Sequence, residues 1–232
     1  MAAEIPEPAP ALADYLDTVR SFNREGQLRL YPGSPFVTQK FLREEARDKL
    51  KLFEMHPTDS QALAAHVAQL KAGRQVSVAR QDGFESLRAL LPPPSRRGLV
   101  LIDPSYEIKS DYPKVADCLQ DSLERFETGC YAIWYPIIPR PEAHGLPRRL
   151  KTLAQQAKRP WLHATLAIGQ PEAPTRARMP GEPPPRPGLT ASGMFVVNPP
   201  HTLKPALAEA LPQLVAALGR GRGQGQLVEA GG

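Results

Sequence analysis

"GLVLIDPSYEIKSDYP" (residues 98–113) runs an apolar stretch into an Asp-Pro-Ser-Tyr turn and then becomes abruptly charged. A short apolar run closed by a turn reads as a buried strand, and "KVADCLQDSLERF" just after it carries its apolar residues at helical spacing. The same succession of strand, turn with an acidic residue, and helix recurs on both sides. "KLKLFEMHPTD" leads into "SQALAAHVAQLKAG", "QVSVARQDG" into "FESLRALLP", and "GCYAIWYPII" towards "RRLKTLAQQAK". Four such units in series predict an α/β domain with a largely parallel sheet.

The flanks differ from this rhythm. "ALADYLDTVRSFN" (11–23) and "SPFVTQKFLREEARDKL" (34–50) have the spacing of amphipathic helices, the second with Ser34 as N-cap and Pro35 at its first position. Near the other end, "WLHATLAIG" (161–169) and "GMFVVNPP" (193–200) are strands with no helical pattern between them, which predicts an antiparallel hairpin. The proline-dense connection, residues 170–191, cannot be a regular helix or central strand. "LKPALAEALPQLVAALG" predicts a last helix, and residues 219–232 are expected to form a flexible tail.

With 232 residues the chain is long enough for one domain with a sizeable core. Its net charge of +5 is unevenly spread: residues 140–232 hold 12 Lys and Arg against 5 Asp and Glu, whereas residues 1–139 are nearly balanced. Such a tilt suits a polyanion, because Lys and Arg displace counterions from phosphates, although an ordinary solvated surface has the same composition. Cys118 and Cys130 have neither metal nor redox spacing, and two cysteines make no secreted disulfide framework. The start of the chain lacks a basic segment followed by an apolar one, and no apolar run reaches membrane-spanning length. These features predict a cytoplasmic protein, taken as a monomer, with no membrane partner. His56, His144, His163 and His201 lack ligand spacing with Cys or acidic partners, so no metal is expected.

In parallel α/β sheets ligands lie outside the carboxyl ends of the strands, which directs attention to Glu54, Asp82 and Asp103. A carboxylate at such a place can accept ribose hydroxyls or an adenine amino hydrogen; the commoner use of carboxylates placed like Glu54 and Asp82 is to cap the helices or turns that follow. Asp103-Pro104-Ser105-Tyr106 carries more specific chemistry. An exocyclic amine such as adenine N6 is a poor nucleophile because its lone pair is delocalised into the ring. Asp103 Oδ and the Pro104 carbonyl, held side by side, could accept its two hydrogens and favour a pyramidal nitrogen. Tyr106 could stack on a flipped base. Amino-directed methyltransferases use this logic in an Asp-Pro-Pro-Tyr signature.

"YPGSP" (31–35), "FEMHPTD" (53–59), "QDGF" (81–84), "LPPPSRRGLVLIDPSYEIKSDY" (91–112), "YAIWYPI" (131–137) and "LTASGMFVVNPP" (189–200) follow one another in an order that closely resembles the J-type 23S ribosomal RNA adenine-N6 methyltransferases. The resemblance implies a Rossmann-like class I fold, S-adenosylmethionine as cofactor, 23S ribosomal RNA as partner and no metal. It implies that Ser34, Glu54, Asp82 and Gly83 bind the cofactor. Asp103 would be the catalytic acceptor and also border the cofactor, while Pro104 and Tyr106 complete the adenine pocket. Residues 1–47 would be the remainder of a helical insertion, 48–218 the methyltransferase domain and 219–232 the tail.

Two departures from the family pattern stand out. Ser105 replaces the second proline, which removes one φ constraint from the turn without touching either acceptor. The family's opening segment, with its first strand and glycine-rich cofactor loop, has no counterpart here, which leads us to expect a shortened version of a longer protein with the first strand of the sheet missing. Two other functions share parts of the pattern: a truncated, non-catalytic RNA-binding chain, and a DNA adenine-N6 methyltransferase.

Overall fold

A computed structural model of the protein describes residues 7–23, 25–170 and 188–232. The chain divides into two compact units, Ala11–Leu90 and the remainder. The division expected at residue 47 is not a boundary between them. Most of the proline-dense segment 170–191 lies outside the described residues.

The first unit contains α1 (Pro10–Ser21, entered from the other unit through Pro10), α2 (Ser34–Lys40), β1 (Leu50–Phe53), α3 (Pro57–Gln69), β2 (Val76–Ala79) and α4 (Gly83–Leu90). β1 and β2 pair in parallel, with Phe53 opposite Ala79. α2 is shorter than its apolar spacing predicts. After Lys40 the chain turns, because Asp48 Oδ2 accepts both the Arg43 backbone N–H (3.1 Å) and its Nε–H (2.9 Å). That closes a local loop where a helix would have continued.

The second unit holds β3 (Leu99–Ile102), α5 (Asp111–Arg125), β4 (Cys130–Pro136), α6 (Pro141–Gln156), β5 (Trp161–Gln170), β6 (Ala191–Val197), α7 (Leu203–Leu218) and β7 (Arg222–Gly231). Its strands lie in the order β3-β4-β6-β5-β7. Only β3 and β4 pair in parallel within this sheet; β6 pairs antiparallel with both β4 and β5, and β7 antiparallel with β5. The α/β class is as expected, and so is the antiparallel β5–β6 pair. The larger sheet is mainly antiparallel, which corrects the expectation of a largely parallel one. The reason is in the last third of the chain, where β6 enters between β4 and β5 and β7 returns along the far side of β5.

Residues 219–232 are likewise not a loose tail. β7 lies in register from Trp161 opposite Gly231 to Gln170 opposite Arg222. Its sequence, RGQGQLVEAG, has few strand-forming side chains, so its pairing rests on the backbone of β5.

Packing follows side-chain period. On β4 every second residue, Tyr131, Ile133 and Tyr135, is buried on the face covered by α5 and α6. α5 contributes Val115, Ala116, Leu119 and Leu123 at helical spacing, and α6 contributes Ala143, Leu146, Leu150 and Ala154. On the opposite face Leu162 and Ala164 of β5 pack with Leu211, Leu207 and Leu214 of α7 and with Val228 of β7.

A polar chain crosses the α5–α6 face. Tyr135 Oη lies 2.6 Å from His163 Nε2, and His163 Nδ1 lies 3.0 Å from Glu229 Oε1, so β4, β5 and β7 are tied in series. To reach β5 the Tyr135 ring passes over β6 at Gly193, where a Cβ would stand 2.3 Å from Tyr135 Cζ. Gly193→Ala is therefore expected to displace that ring and break its hydrogen bond to His163, lowering stability by about 3 kcal/mol through overpacking and the missing buried hydrogen bond. Urea unfolding checks this; a wild-type midpoint would contradict the packing described.

Candidate active site

The residues singled out in the sequence fall into two groups, one in each unit. In the first, β1 and β2 end side by side, and the Glu54 N–H donates to Ala79 O (3.2 Å), extending the pairing one residue past β1. Glu54 Oε1 accepts the His56 N–H (2.8 Å). Asp82 caps α4: its Oδ1 accepts the Phe84 N–H (2.8 Å) and, more weakly, the Glu85 N–H (3.4 Å), while its carbonyl accepts from Ser86. The capping alternative is thus realised for Asp82, whereas Glu54 bonds the N–H of His56, the residue just before α3, and closes the turn without capping the helix. Each is also half-buried and fixed through one oxygen, and the second oxygen of each makes no hydrogen bond among the described residues.

Gly83 opens α4, and a Cβ there would lie 3.4 Å from Phe53 Cβ, a contact a small shift relieves. Ser34 is exposed as the first residue of α2. The N-cap is Gly33 and not Ser34, because the Gly33 carbonyl accepts the first helical N–H groups and the Ser34 side chain makes no capping bond. Ser34, Glu54, Asp82 and Gly83 thus share one unit, with Glu54 and Asp82 at the same strand edge.

In the second unit β3 stops at Ile102 and Asp103 follows at the carboxyl edge of the sheet. Asp103 is exposed as a residue, yet its surroundings desolvate its carboxyl and push its pKa above the ordinary carboxylate range. Pro104 is half-buried beside it. Tyr106 adopts φ +54°, a left-handed conformation that a bulky residue takes only where its surroundings impose it.

The surroundings of Tyr106 account for that conformation. Its side chain is 2 % exposed, its ring packs on Tyr112 (centroids 4.8 Å apart) and Trp134 (6.3 Å), and its hydroxyl donates to Trp134 O on β4 (2.7 Å). Burial, and then the nearby Asp103 charge, push the Tyr106 phenol well above its usual range, so it stays a donor. The open stacking face expected of Tyr106 is not presented in this structure. The residue instead anchors the turn that carries Asp103 and Pro104.

Sequence reasoning missed Arg140. Its Nη1 donates to the carbonyls of Tyr106 (3.2 Å) and Glu107 (3.3 Å) from the junction between β4 and α6. A signal existed, since Arg140 follows the strand parallel to β3 and immediately precedes Pro141, the first residue of α6. Trp134 and Tyr135 of β4 are both bonded: the first through its carbonyl to Tyr106, the second through its hydroxyl to His163. Among the described residues there is no group of three or more His, Cys, Asp and Glu side chains placed to hold a metal ion. Likewise no described helix is long and apolar enough to cross a membrane.

Comparisons with known proteins extend this geometry. The model of the family described as Ribosomal RNA large subunit methyltransferase D, RlmJ, matches residues 2–229. The chain is 40% identical over 207 residues to Ribosomal RNA large subunit methyltransferase J of Escherichia coli (strain K12), covering 89% of this chain and 67% of that protein. It is 38% identical over 208 residues to the protein of the same name from Haemophilus influenzae, with the same coverage. The fold is similar to the crystal structure of protein LPL1258 from Legionella pneumophila str. Philadelphia 1, with a TM-score of 0.76, 29% identity, and coverage of 95% of this chain and 74% of that one. An α/β scaffold with an Asp-Pro turn closing a strand is thus matched to methyltransferases along nearly its whole length. The chain belongs to the ribosomal RNA large subunit methyltransferase D (RlmJ) family.

Proposed function

We propose that the protein transfers a methyl group from S-adenosylmethionine to the N6 amine of an adenine in 23S ribosomal RNA, on a Rossmann-like class I scaffold. The observation that carries this reading is the Asp103-Pro104 turn at the carboxyl edge of β3, held by a buried, left-handed Tyr106, in a chain whose family and named relatives are ribosomal RNA methyltransferases. The relatives' names specify ribosomal RNA rather than DNA, and they name an enzyme rather than a binding module.

The donor set suits the cofactor. Glu54 and Asp82 offer carboxylate oxygens, which only accept hydrogen bonds and so match hydroxyl and amino hydrogens on a nucleoside. Each is oriented by a backbone N–H on its other oxygen. Ser34 and Gly83, at the first residues of α2 and α4, complete the assignment. When bound, S-adenosylmethionine supplies an electrophilic methyl carbon on a sulfonium sulfur, and the sulfur keeps the electron pair as the methyl leaves.

The chain's own residues act on the amine. Asp103 Oδ and the Pro104 carbonyl accept its two hydrogens, which draws the nitrogen lone pair out of the ring. As the nitrogen gains its fourth bond it becomes acidic, and Asp103, whose desolvation already favours protonation, takes the surplus proton or passes it to water. Tyr106 keeps the two acceptors in place through its bond to Trp134 O.

Incubation with labelled S-adenosylmethionine and, side by side, unmodified 23S ribosomal RNA and duplex DNA tests the substrate class. Label is expected in the RNA alone; equal labelling of the DNA, or none in either, would overturn the assignment.

A further inference from the structure

We propose that Arg140 is a positioning residue for methyl transfer, holding the Asp103-Pro104 acceptor pair at its working geometry from outside the turn; the proposal rests on the reading of that pair given above. A turn that places two acceptors side by side works only if its backbone is fixed to a fraction of an ångström. Within the segment itself little fixes it. Ser105 leaves one φ free where a second proline ring would lock it, and Tyr106 at φ +54° sits in a conformation that a bulky side chain leaves readily.

Besides the packing of the Tyr106 ring on Tyr112, the restraint comes from one neighbouring segment, the end of β4 and the junction that follows. Trp134 O accepts the Tyr106 hydroxyl and fixes the ring end of that residue. Six residues on, Arg140 Nη1 donates to the carbonyls of both Tyr106 and Glu107, fixing the backbone end. Arg140 is well placed for this because its own backbone is extended (φ −127°, ψ 132°) and is followed by Pro141, which begins α6 with a fixed φ. A bond from a guanidinium to a carbonyl is charge-assisted and stronger than a neutral one. A further link between the two segments, Lys109 to Glu142 (3.3 Å), is exposed at the lysine and adds little.

An arginine beside such a turn could instead bind an RNA phosphate, and kinetics separates the two roles. Removing a phosphate-binding arginine would raise KM for RNA and weaken the salt dependence of binding. Removing a positioning arginine misplaces the acceptors and lowers kcat, since small displacements of reacting groups are costly.

Arg140→Ala and Arg140→Lys in the full chain, each confirmed as folded by Tm and circular dichroism, test the proposal with two readouts. In the first, Arg140→Ala is expected to lower kcat about 30-fold with KM for RNA within about threefold, and Arg140→Lys, which can still donate to a carbonyl, to recover about half of that loss on a logarithmic scale. In the second, hydrogen exchange of the free protein is expected to rise in the peptide covering residues 103–110 for Arg140→Ala and not for Arg140→Lys. A raised KM with unchanged kcat, or unchanged exchange at 103–110, overturns the role of Arg140. If the wild-type chain transfers no methyl group, the functional reading fails by itself, and the exchange arm still decides whether Arg140 holds the turn.

Discussion

Asp103→Ala is expected to lower methyl transfer by roughly 10³-fold while leaving the unfolding free energy within about 1 kcal/mol of wild type, because the side chain is an acceptor aimed at developing charge and supports no core packing. Asp103 is exposed and follows the last buried residue of β3, so truncation opens no cavity. Asp103→Asn should retain part of the activity, since one amide oxygen still accepts while the amide nitrogen opposes the amine. The pH profile carries the same signature. Desolvation raises the Asp103 pKa, so the carboxyl protonates at a higher pH than an ordinary aspartate and loses acceptor capacity there. The acid limb of kcat/KM, which reports the free enzyme, is therefore expected above the ordinary carboxylate range. The sign for stability is the reverse: a carboxyl whose pKa is raised by folding disfavours the folded state at neutral pH, and that penalty fades as pH falls through the raised value. Stopped-time assays from pH 4 to 8 on wild type and Asp103→Asn check this, with the acid limb expected to vanish in the variant.

Removal of residues 220–232 should produce the largest loss of stability. It strips β7 from the whole length of β5, takes Val228 from the cluster under α7, and leaves His163, only 8 % exposed, without the carboxylate of Glu229. The His163 bond and a nearby lysine hold the Glu229 carboxyl below its usual pKa, so the partner removed is an ionised one. An uncovered strand edge, a gap in the apolar cluster and an orphaned buried imidazole together remove about 5 kcal/mol, a large share of the stability of a domain this size and roughly 10–20 °C in Tm. Calorimetry of the shortened chain measures it; an unchanged Tm would mean that β7 is not part of the folded sheet.

That strand also shows where the sequence was legible and where it was not. The four strand and helix units were readable because their strands carry short apolar runs or alternations and their helices apolar spacing, patterns that burial selects directly in β4, α5 and α6, whereas Leu99 and Leu101 of β3 stay exposed. β7 has no such pattern. Leu227 and Val228 are its only large apolar residues, and its pairing depends on the exposed backbone of a partner about 60 residues away, which local composition does not encode. The end of α2 was missed for a similar reason, since Asp48 reaches back to Arg43 through a side-chain bond that competes with helix propagation.

The site divides along the same line. Asp103 and Pro104 were legible because a strand end, a fixed φ and an acceptor coincide in four consecutive residues. The anchoring of Tyr106 was not, because Trp134 O and Arg140 belong to the next strand and the junction beyond it, 28 and 34 residues further along the chain. Glu54 and Asp82 could be read as caps or as ligands, and the structure realises a helix cap on one oxygen of Asp82 and a turn bond on one oxygen of Glu54 while keeping both carboxylates at the strand edge.

The measurement that bears most directly on the Asp103-Pro104 turn is the position of the transferred methyl group. Unmodified 23S ribosomal RNA is incubated with the 232-residue chain and S-adenosylmethionine, digested to nucleosides and resolved by mass spectrometry, with Asp103→Ala in parallel. N6-methyladenosine with the wild-type chain and its loss with Asp103→Ala is the expected result. A methyl group on a ring nitrogen, a ribose oxygen or another base, or undiminished N6 methylation by Asp103→Ala, would contradict the assignment of this turn as the site where an exocyclic amine is activated.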